Sequence, residues 1–113
     1  MKKTPRPSWL HEYRRLQQGL ARLGYISQGS VVDRSRLKNP RSGYQWTRKL
    51  SRKTITVALS RQQFQVLRKA IRNRRSLAKT IQRMEKLSRQ ILFATAPDTR
   101  RRKPLPPKAL GVN

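Results

Sequence analysis

The 113-residue chain contains no cysteine and only four acidic residues. The first absence excludes disulfide bonds and thiolate metal sites. The acidic residues are widely separated, and the chain has a single histidine, His11. Hydrolysis or group transfer needs several such groups brought together, and the sequence contains neither a Ser-His-Asp set nor a Gly-rich phosphate loop. We therefore expect no enzymatic activity, no cofactor and no metal.

His11 begins the sequence HEYRR, which matches the first half of the zinc-protease motif HExxH. The position of the second zinc ligand is occupied by Arg15, and a guanidinium does not bind zinc. We interpret His11 as a surface or packing residue.

Long apolar runs are also absent. No stretch approaches 18 consecutive apolar residues, so the sequence predicts no transmembrane helix. The basic start MKKTPRPSW resembles the first region of a signal peptide, but no apolar segment follows it. We expect a cytoplasmic or nucleoid-associated protein without a membrane partner.

Basic residues are abundant instead. The chain has 29 lysines and arginines and a net charge of +25, and repulsion at this charge opposes compaction unless an anion neutralises it. Arginine outnumbers lysine by 19 to 10. A guanidinium matches two phosphate oxygens at once and stacks on bases, whereas an ammonium acts as a point charge. The composition therefore favours nucleic acid over an anionic membrane as the partner.

The periodicity of the first third predicts an N-terminal amphipathic helix. Ser8 is placed to cap it and Gly24 to stop it. Apolar residues recur at steps of four and three residues, the spacing of one helical face: Trp9, Tyr13, Leu16, Leu20 and Leu23.

The middle of the chain predicts a small antiparallel β-hairpin. The stretches GYQWTRKL and KTITVAL alternate side chains at a period of two, and SRK between them can form a turn. GSVVDR at 29–34 is a candidate third strand. Two strands alone are marginal, so the hairpin must pack on a helix. Tyr44 and Trp46 then have two interpretations, as core residues covering that helix or as platforms for base stacking.

A long basic helix is predicted from about 61 to 93. Ser60 opens SRQQ, a capping box with Gln63, and no glycine or proline follows until Pro97. The predicted fold is therefore α+β: an N-terminal helix, a hairpin of two or three strands, a long C-terminal helix and extended basic tails. We divide the chain into a basic tail at 1–7, a single domain at 8–93 and a Pro/Arg-rich tail at 94–113.

The long helix divides into an apolar and a cationic face. On a helical wheel, the apolar arc contains Leu67, Ala70, Leu77, Ala78, Ile81, Met84, Ile91 and Leu92. The opposite, cationic stripe contains Arg61, Arg68, Arg72, Arg75, Lys79, Arg83 and Lys86. Like charges four residues apart, such as Arg68 and Arg72, are mildly destabilising. A docked polyanion would offset this cost, so we interpret the stripe as a phosphate-binding surface.

Two further basic clusters could extend this surface. The first surrounds the predicted turn and contains Arg48, Lys49, Arg52 and Lys53. The second lies in the C-terminal tail and contains Arg100, Arg101, Arg102 and Lys103. Contacts of this kind position a protein on a nucleic acid without reading its sequence.

One long segment resembles a small uncharacterised bacterial family whose members are often encoded beside transposases. The likeness covers about residues 8–93 and includes a Gly-Ser start to a basic strand, the knuckle RLKNPRSG, the sequence GYQWTR, a Lys-Thr strand and a long basic helix. Family members commonly have cysteines around the knuckle, and this chain has none, so a metal-held knuckle is not available to it. The resemblance implies a mobile-element or DNA context and no established activity.

These observations lead to two functional hypotheses. The first is an accessory factor that grips duplex DNA through its phosphates, in the service of a mobile element. The second is a structural RNA-binding subunit of a large ribonucleoprotein such as a ribosome, which suits a very small, very basic chain. Under either hypothesis a second copy of the chain remains a candidate partner for the long helix.

Overall fold

The computed structural model describes residues 4–97 and 105–111 and confirms the α+β fold. Helix α1 (Pro7–Ala21) precedes strand β1 (Ser30–Asp33) and a 3-10 turn (Arg34–Arg36). Strands β2 (Tyr44–Leu50) and β3 (Lys53–Leu59), helix α2 (Arg61–Thr95) and the short helix α3 (Pro107–Leu110) follow. No helix in these ranges is both long and apolar enough to cross a membrane.

The chain divides into two compact units, which we describe separately. Of the described residues, the helical unit comprises those up to Arg22 and those from Ala78 onward, and the sheet unit comprises Leu23–Leu77. Helix α2 contributes its N-terminal half to the sheet unit and its C-terminal half to the helical unit.

Helix α1 starts one residue before the predicted cap. Arg6 is the N-cap residue and makes no side-chain capping bond, while Pro7 occupies the first helical position. The prediction that Ser8 caps this helix is therefore wrong. Proline is well suited to that position, because its fixed φ is already helical and its missing N–H would have no partner there.

The three strands form an antiparallel sheet in the order β1-β2-β3, which confirms the candidate third strand. In the hairpin Leu50 pairs with Lys53, leaving a two-residue turn in which Ser51 and Arg52 have φ values of 50° and 69°. Both signs match a type I′ turn, whose twist suits a hairpin. Tyr44 and Trp46 pair with Leu59 and Val57 and therefore share one face of the sheet.

Helix α2 begins with the predicted capping box. The Gln63 N–H donates to Ser60 Oγ at 3.1 Å, and the Ser60 N–H donates to Gln63 Oε1 at 2.9 Å. These reciprocal bonds satisfy two backbone donors at the helix start. The helix continues to Thr95, two residues past its predicted end.

Very few side chains are fully shielded from solvent. Among the described residues the buried apolar positions are Ala70 and Ile71 in the sheet unit and Leu87 in the helical unit. Leu87 is 0% exposed, although it lay outside the predicted apolar arc, whereas Leu92, inside that arc, is 59% exposed. The arc is therefore wrong for the C-terminal half of α2, because the partner in each unit decides which side of the helix is covered.

Part of the predicted C-terminal tail is helical. Pro107 opens the single turn of α3, and Gly111 ends it with a φ of 71°, the Pro-first and Gly-last arrangement typical of helices. The Arg89 guanidinium donates to the Leu110 carbonyl. This contact attaches α3 to α2 within the helical unit.

Candidate nucleic-acid interface

A groove lined with arginines runs between β1 and α2 in the sheet unit. One part of it is lined by Val31, Arg36, Arg61 and Arg68, and the adjoining part by Val31, Arg68, Arg72 and Arg75. The five arginines are all exposed. We call this set, Arg36, Arg61, Arg68, Arg72 and Arg75, the cationic groove.

The segment before β1 is fixed against α2. The Ser27 N–H donates to the Ala70 carbonyl at 3.2 Å, and Asn73 Nδ2 donates to the Tyr25 carbonyl at 2.9 Å. These bonds bring the start of β1 to the helix. Since β1 is an edge strand, alternate residues direct their backbone N–H and C=O groups away from β2.

Glycine is required at position 29 to make this entry to β1. Gly29 has a φ of 100°, and a Cβ there would lie 2.5 Å from both the Thr47 carbonyl oxygen and Trp46 Nε1. The close approach allows Trp46 Nε1 to donate to the Gln28 carbonyl at 2.9 Å. A larger residue would displace the strand that forms one wall of the cationic groove.

The groove contains one acidic residue. The Asp33 carboxylate accepts hydrogen bonds from the Ser35 hydroxyl at 2.7 Å and from the Ser35 N–H at 3.0 Å. These bonds lower the pKa of Asp33 below its ordinary value, so the carboxylate stays ionised at neutral pH. Among the described residues no ion pair neutralises any of the five groove arginines.

The rest of the predicted stripe belongs to the helical unit and has a different environment. Lys79 is exposed and Lys86 is half-buried. Arg83 forms a two-point ion pair with Glu12 of α1, with Nε–Oε1 and Nη2–Oε2 distances of 2.6 and 2.8 Å. Its guanidinium is therefore bound by protein, and we leave Arg83 out of the candidate interface.

The Glu12–Arg83 ion pair should make the stability of the protein depend on pH. The hydrogen bond from Arg83 lowers the pKa of Glu12 below the ordinary value of 4.5. The stabilisation is therefore fully present above pH 4.5 and is lost as the pH falls through the lower, folded-state pKa. Because both side chains are partly exposed, we expect Glu12→Gln to lower the free energy of unfolding by only about 0.5 kcal/mol at pH 7.

Urea unfolding of both proteins at pH 7 and pH 3 measures this effect. The difference between them should be smaller at pH 3, because the stabilisation is lost progressively as the pH falls below 4.5 towards the lowered pKa of Glu12. Glu85→Gln is the matched control, because Glu85 forms no ion pair with any described residue. An equal loss at both pH values would show that the glutamine acts by something other than its missing charge.

Of the two additional basic clusters predicted from the sequence, the structure describes the one at the hairpin turn. At the hairpin turn Lys49, Arg52 and Lys53 are exposed, whereas Arg48 is half-buried, with its guanidinium carbon 5.7 Å from the centroid of the Trp46 ring. The tail cluster, Arg100 to Lys103, lies outside the described residues. The hairpin cations thus form an exposed surface of their own beside the turn.

The aromatic residues singled out from the sequence take part in packing. The Tyr44 ring stacks on Phe64 of α2, with centroids 4.5 Å apart, and the Trp46 indole donates to the Gln28 carbonyl. Both are half-buried, and the contact with the long helix is made by Tyr44. Base stacking on Tyr44 would compete with Phe64 for the ring face.

Sequence reasoning passed over the most exposed aromatic residue of the sheet unit. The Tyr25 side chain is 92% exposed, although its own carbonyl is bonded to Asn73. Nothing in the local pattern indicated this, because a tyrosine next to Gly24 in a short linker is compatible with either orientation.

Comparisons with known proteins find no match to the chain among family models, curated proteins or solved structures. The resemblance to the transposase-associated bacterial family stays a prediction.

Proposed function

We propose that this chain is a non-enzymatic nucleic-acid-binding protein that grips the phosphate backbone with its cationic groove. One observation carries the proposal: five exposed arginines line the two adjoining parts of the groove, against a single carboxylate, that of Asp33. Arginine pairs with phosphate oxygens in two-point geometry. Backbone groups along the free edge of β1 offer further contacts of the kind that position a protein on a nucleic acid.

The arrangement has a folding cost that such a ligand would offset. Arg68 and Arg72 are four residues apart, and Arg72 and Arg75 are three apart, so each pair repels on the helix surface. Arg61 is the first residue of α2, where the helix dipole disfavours a cation. Phosphates bound in the groove would offset this repulsion, because each phosphate would pair with the arginines beside it.

We take duplex DNA in a mobile-element context as the first candidate ligand, following the sequence resemblance. A structural RNA-binding subunit of a ribonucleoprotein is the second candidate, and a specific observation favours it. Within the described residues only three side chains are buried, and several large apolar side chains are exposed, so apolar surface is available for contacts with other subunits. A subunit folded onto RNA would gain them on assembly.

The salt dependence of binding tests the proposal. Affinities for matched DNA duplex, RNA duplex and single strands should be measured over a salt series from about 50 to 200 mM. If the five groove arginines each neutralise one phosphate, log K should fall with log[salt] at a slope of about −4.5 on duplex DNA. Absence of binding at the lowest salt, or binding that ignores salt, would contradict the proposal.

Nuclease treatment then distinguishes the two candidate ligands. If the protein is purified with its natural partner, loss of the partner after DNase alone supports the DNA hypothesis. Loss after RNase alone supports the ribonucleoprotein hypothesis. Anionic vesicles serve as a control, since binding to them as tight as to nucleic acid would point to charge without a nucleic-acid preference.

A further inference from the structure

We propose that Tyr25 is a stacking platform for an unpaired base, so that a nucleic acid with single-stranded nucleotides gains a contact with the sheet unit that a continuous duplex does not. This inference rests on the proposed function and specifies its ligand class. The position of the ring carries it. A tyrosine side chain that is 92% exposed leaves both faces of its ring in solvent, where an aromatic side chain gains nothing from folding.

The backbone around Tyr25 is fixed against α2, so the Cα of Tyr25 has a defined position. The Tyr25 carbonyl accepts from Asn73 at 2.9 Å, and two residues later the Ser27 N–H donates to the Ala70 carbonyl. A Cβ at Gly24 would lie 3.1 Å from Asn73 Nδ2, so the backbone at Gly24 packs closely against α2. Because the backbone is already ordered, a base that stacks on the ring has only the two side-chain torsions of Tyr25 to immobilise.

The charges near the hydrogen bond between Asn73 and the Tyr25 carbonyl are suited to binding a phosphate backbone. On α2, Lys69 lies one turn before Asn73, and Arg72 directly precedes Asn73 in the sequence. Lys69 and Arg72 are both exposed. Arg72 also belongs to the cationic groove, so the residue that bonds the Tyr25 carbonyl, Asn73, directly follows a groove arginine on α2. Aromatic rings beside a basic track are the arrangement by which proteins bind single strands without sequence preference.

A protein partner is a poorer match to this surface. Tyr25 and its neighbour Ile26 are exposed, but basic residues of α2 adjoin them, whereas the centre of a protein interface is depleted of charge. Two apolar residues also fall far short of the roughly 20 residues a side of a stable interface. The ring is better suited to one planar ligand than to an apolar surface.

Replacing the ring tests the inference. Tyr25→Ala should weaken binding of a labelled oligouridine or oligothymidine strand of about 12 nucleotides by roughly 5- to 150-fold, the range of one lost base stack. Tyr25→Phe should retain the affinity, because it keeps the π-face. Binding to a duplex of the same length should not change, since its bases are already stacked. The salt slope should also be unchanged, because no charge is removed.

Ile26→Ala is the matched control, an exposed apolar residue of the same loop that has no ring, and it should bind like the wild type. Equal losses on strand and duplex for Tyr25→Ala, or no loss on the strand, would overturn the inference while leaving the proposed function intact. If sedimentation shows that Tyr25→Ala abolishes self-association, the ring contacts a second copy and the inference is also overturned. Failure of the wild type to bind any nucleic acid would instead overturn the proposed function.

Discussion

Replacing the four helix arginines of the cationic groove with glutamine should flatten the salt slope on duplex DNA by about 3.6 units. The variant carries Arg61→Gln, Arg68→Gln, Arg72→Gln and Arg75→Gln. Each of these side chains is exposed and without an ion pair among the described residues, so each is free to displace one counterion from a phosphate. A fourfold rise in salt would then cost the wild type about 150-fold more affinity than it costs the variant.

A control variant with the same loss of charge tests whether the ligand binds at the groove or is attracted by the net charge of the protein alone. The variant Arg14→Gln, Arg22→Gln, Lys38→Gln, Arg41→Gln removes four exposed cations that do not line the groove. If net charge alone held the ligand, both variants would flatten the slope equally, and the groove would lose its special role. We expect a much smaller change in the control.

Loss of folding cannot explain the expected effect, because the substitutions should not destabilise the helix. They remove repulsion between Arg68 and Arg72 and between Arg72 and Arg75, and each such pair costs a few tenths of a kcal/mol. They also remove a cation from the first residue of α2, where the dipole disfavours it. Urea unfolding should therefore give the variant a stability equal to or higher than that of the wild type.

The elements of this fold could be predicted because their signals are local. The Ser60–Gln63 capping box and the period-two alternation of β2 and β3 each lie within a few residues of the structure they specify. Even the non-glycine turn at Ser51 and Arg52 was located by the alternation on either side of it. The start of α1 was missed by two positions, because the predicted cap was Ser8 whereas the N-cap residue is Arg6, which makes no side-chain capping bond that a sequence pattern could indicate.

The environment of the individual side chains could not be predicted in the same way. Arg83 forms an ion pair with Glu12, 71 residues away in the sequence. A helical wheel describes a single helix and cannot show a contact with a residue of another helix. Likewise the segment that carries Tyr25 is bonded to α2 through Asn73, which donates to the Tyr25 carbonyl, and through Ala70, which accepts from the Ser27 N–H. A periodic pattern shows that a helix has two faces, but the partner determines which residues are covered, and this chain has a different partner for each half of α2.

Leu87→Ala should be the most destabilising single substitution in the helical unit, with a loss of about 2–5 kcal/mol in the free energy of unfolding. Leu87 is 0% exposed and is the one fully buried side chain described in that unit. The substitution removes apolar contacts and leaves a cavity. A loss of this size is a large fraction of the 5–15 kcal/mol by which natural domains are stable.

Leu92→Ala is the decisive comparison, because the helical wheel and the structure rank the two leucines in opposite order. The wheel places Leu92 in the apolar arc and Leu87 outside it, whereas the structure leaves Leu92 59% exposed. Urea unfolding should therefore show a change within about 0.5 kcal/mol for Leu92→Ala. A larger loss for Leu92→Ala than for Leu87→Ala would show that the wheel describes the packing of this helix correctly.

Nucleic acid should stabilise the wild type and the Leu87→Ala variant by the same amount. A ligand that binds only the folded state adds RT ln(1 + [L]/Kd) to the free energy of unfolding, and Leu87 lies in the helical unit, outside the cationic groove. Unfolding with and without saturating duplex therefore measures Kd in both proteins. An unequal gain would mean that Leu87 affects the binding surface, and the two units would then have to act as one.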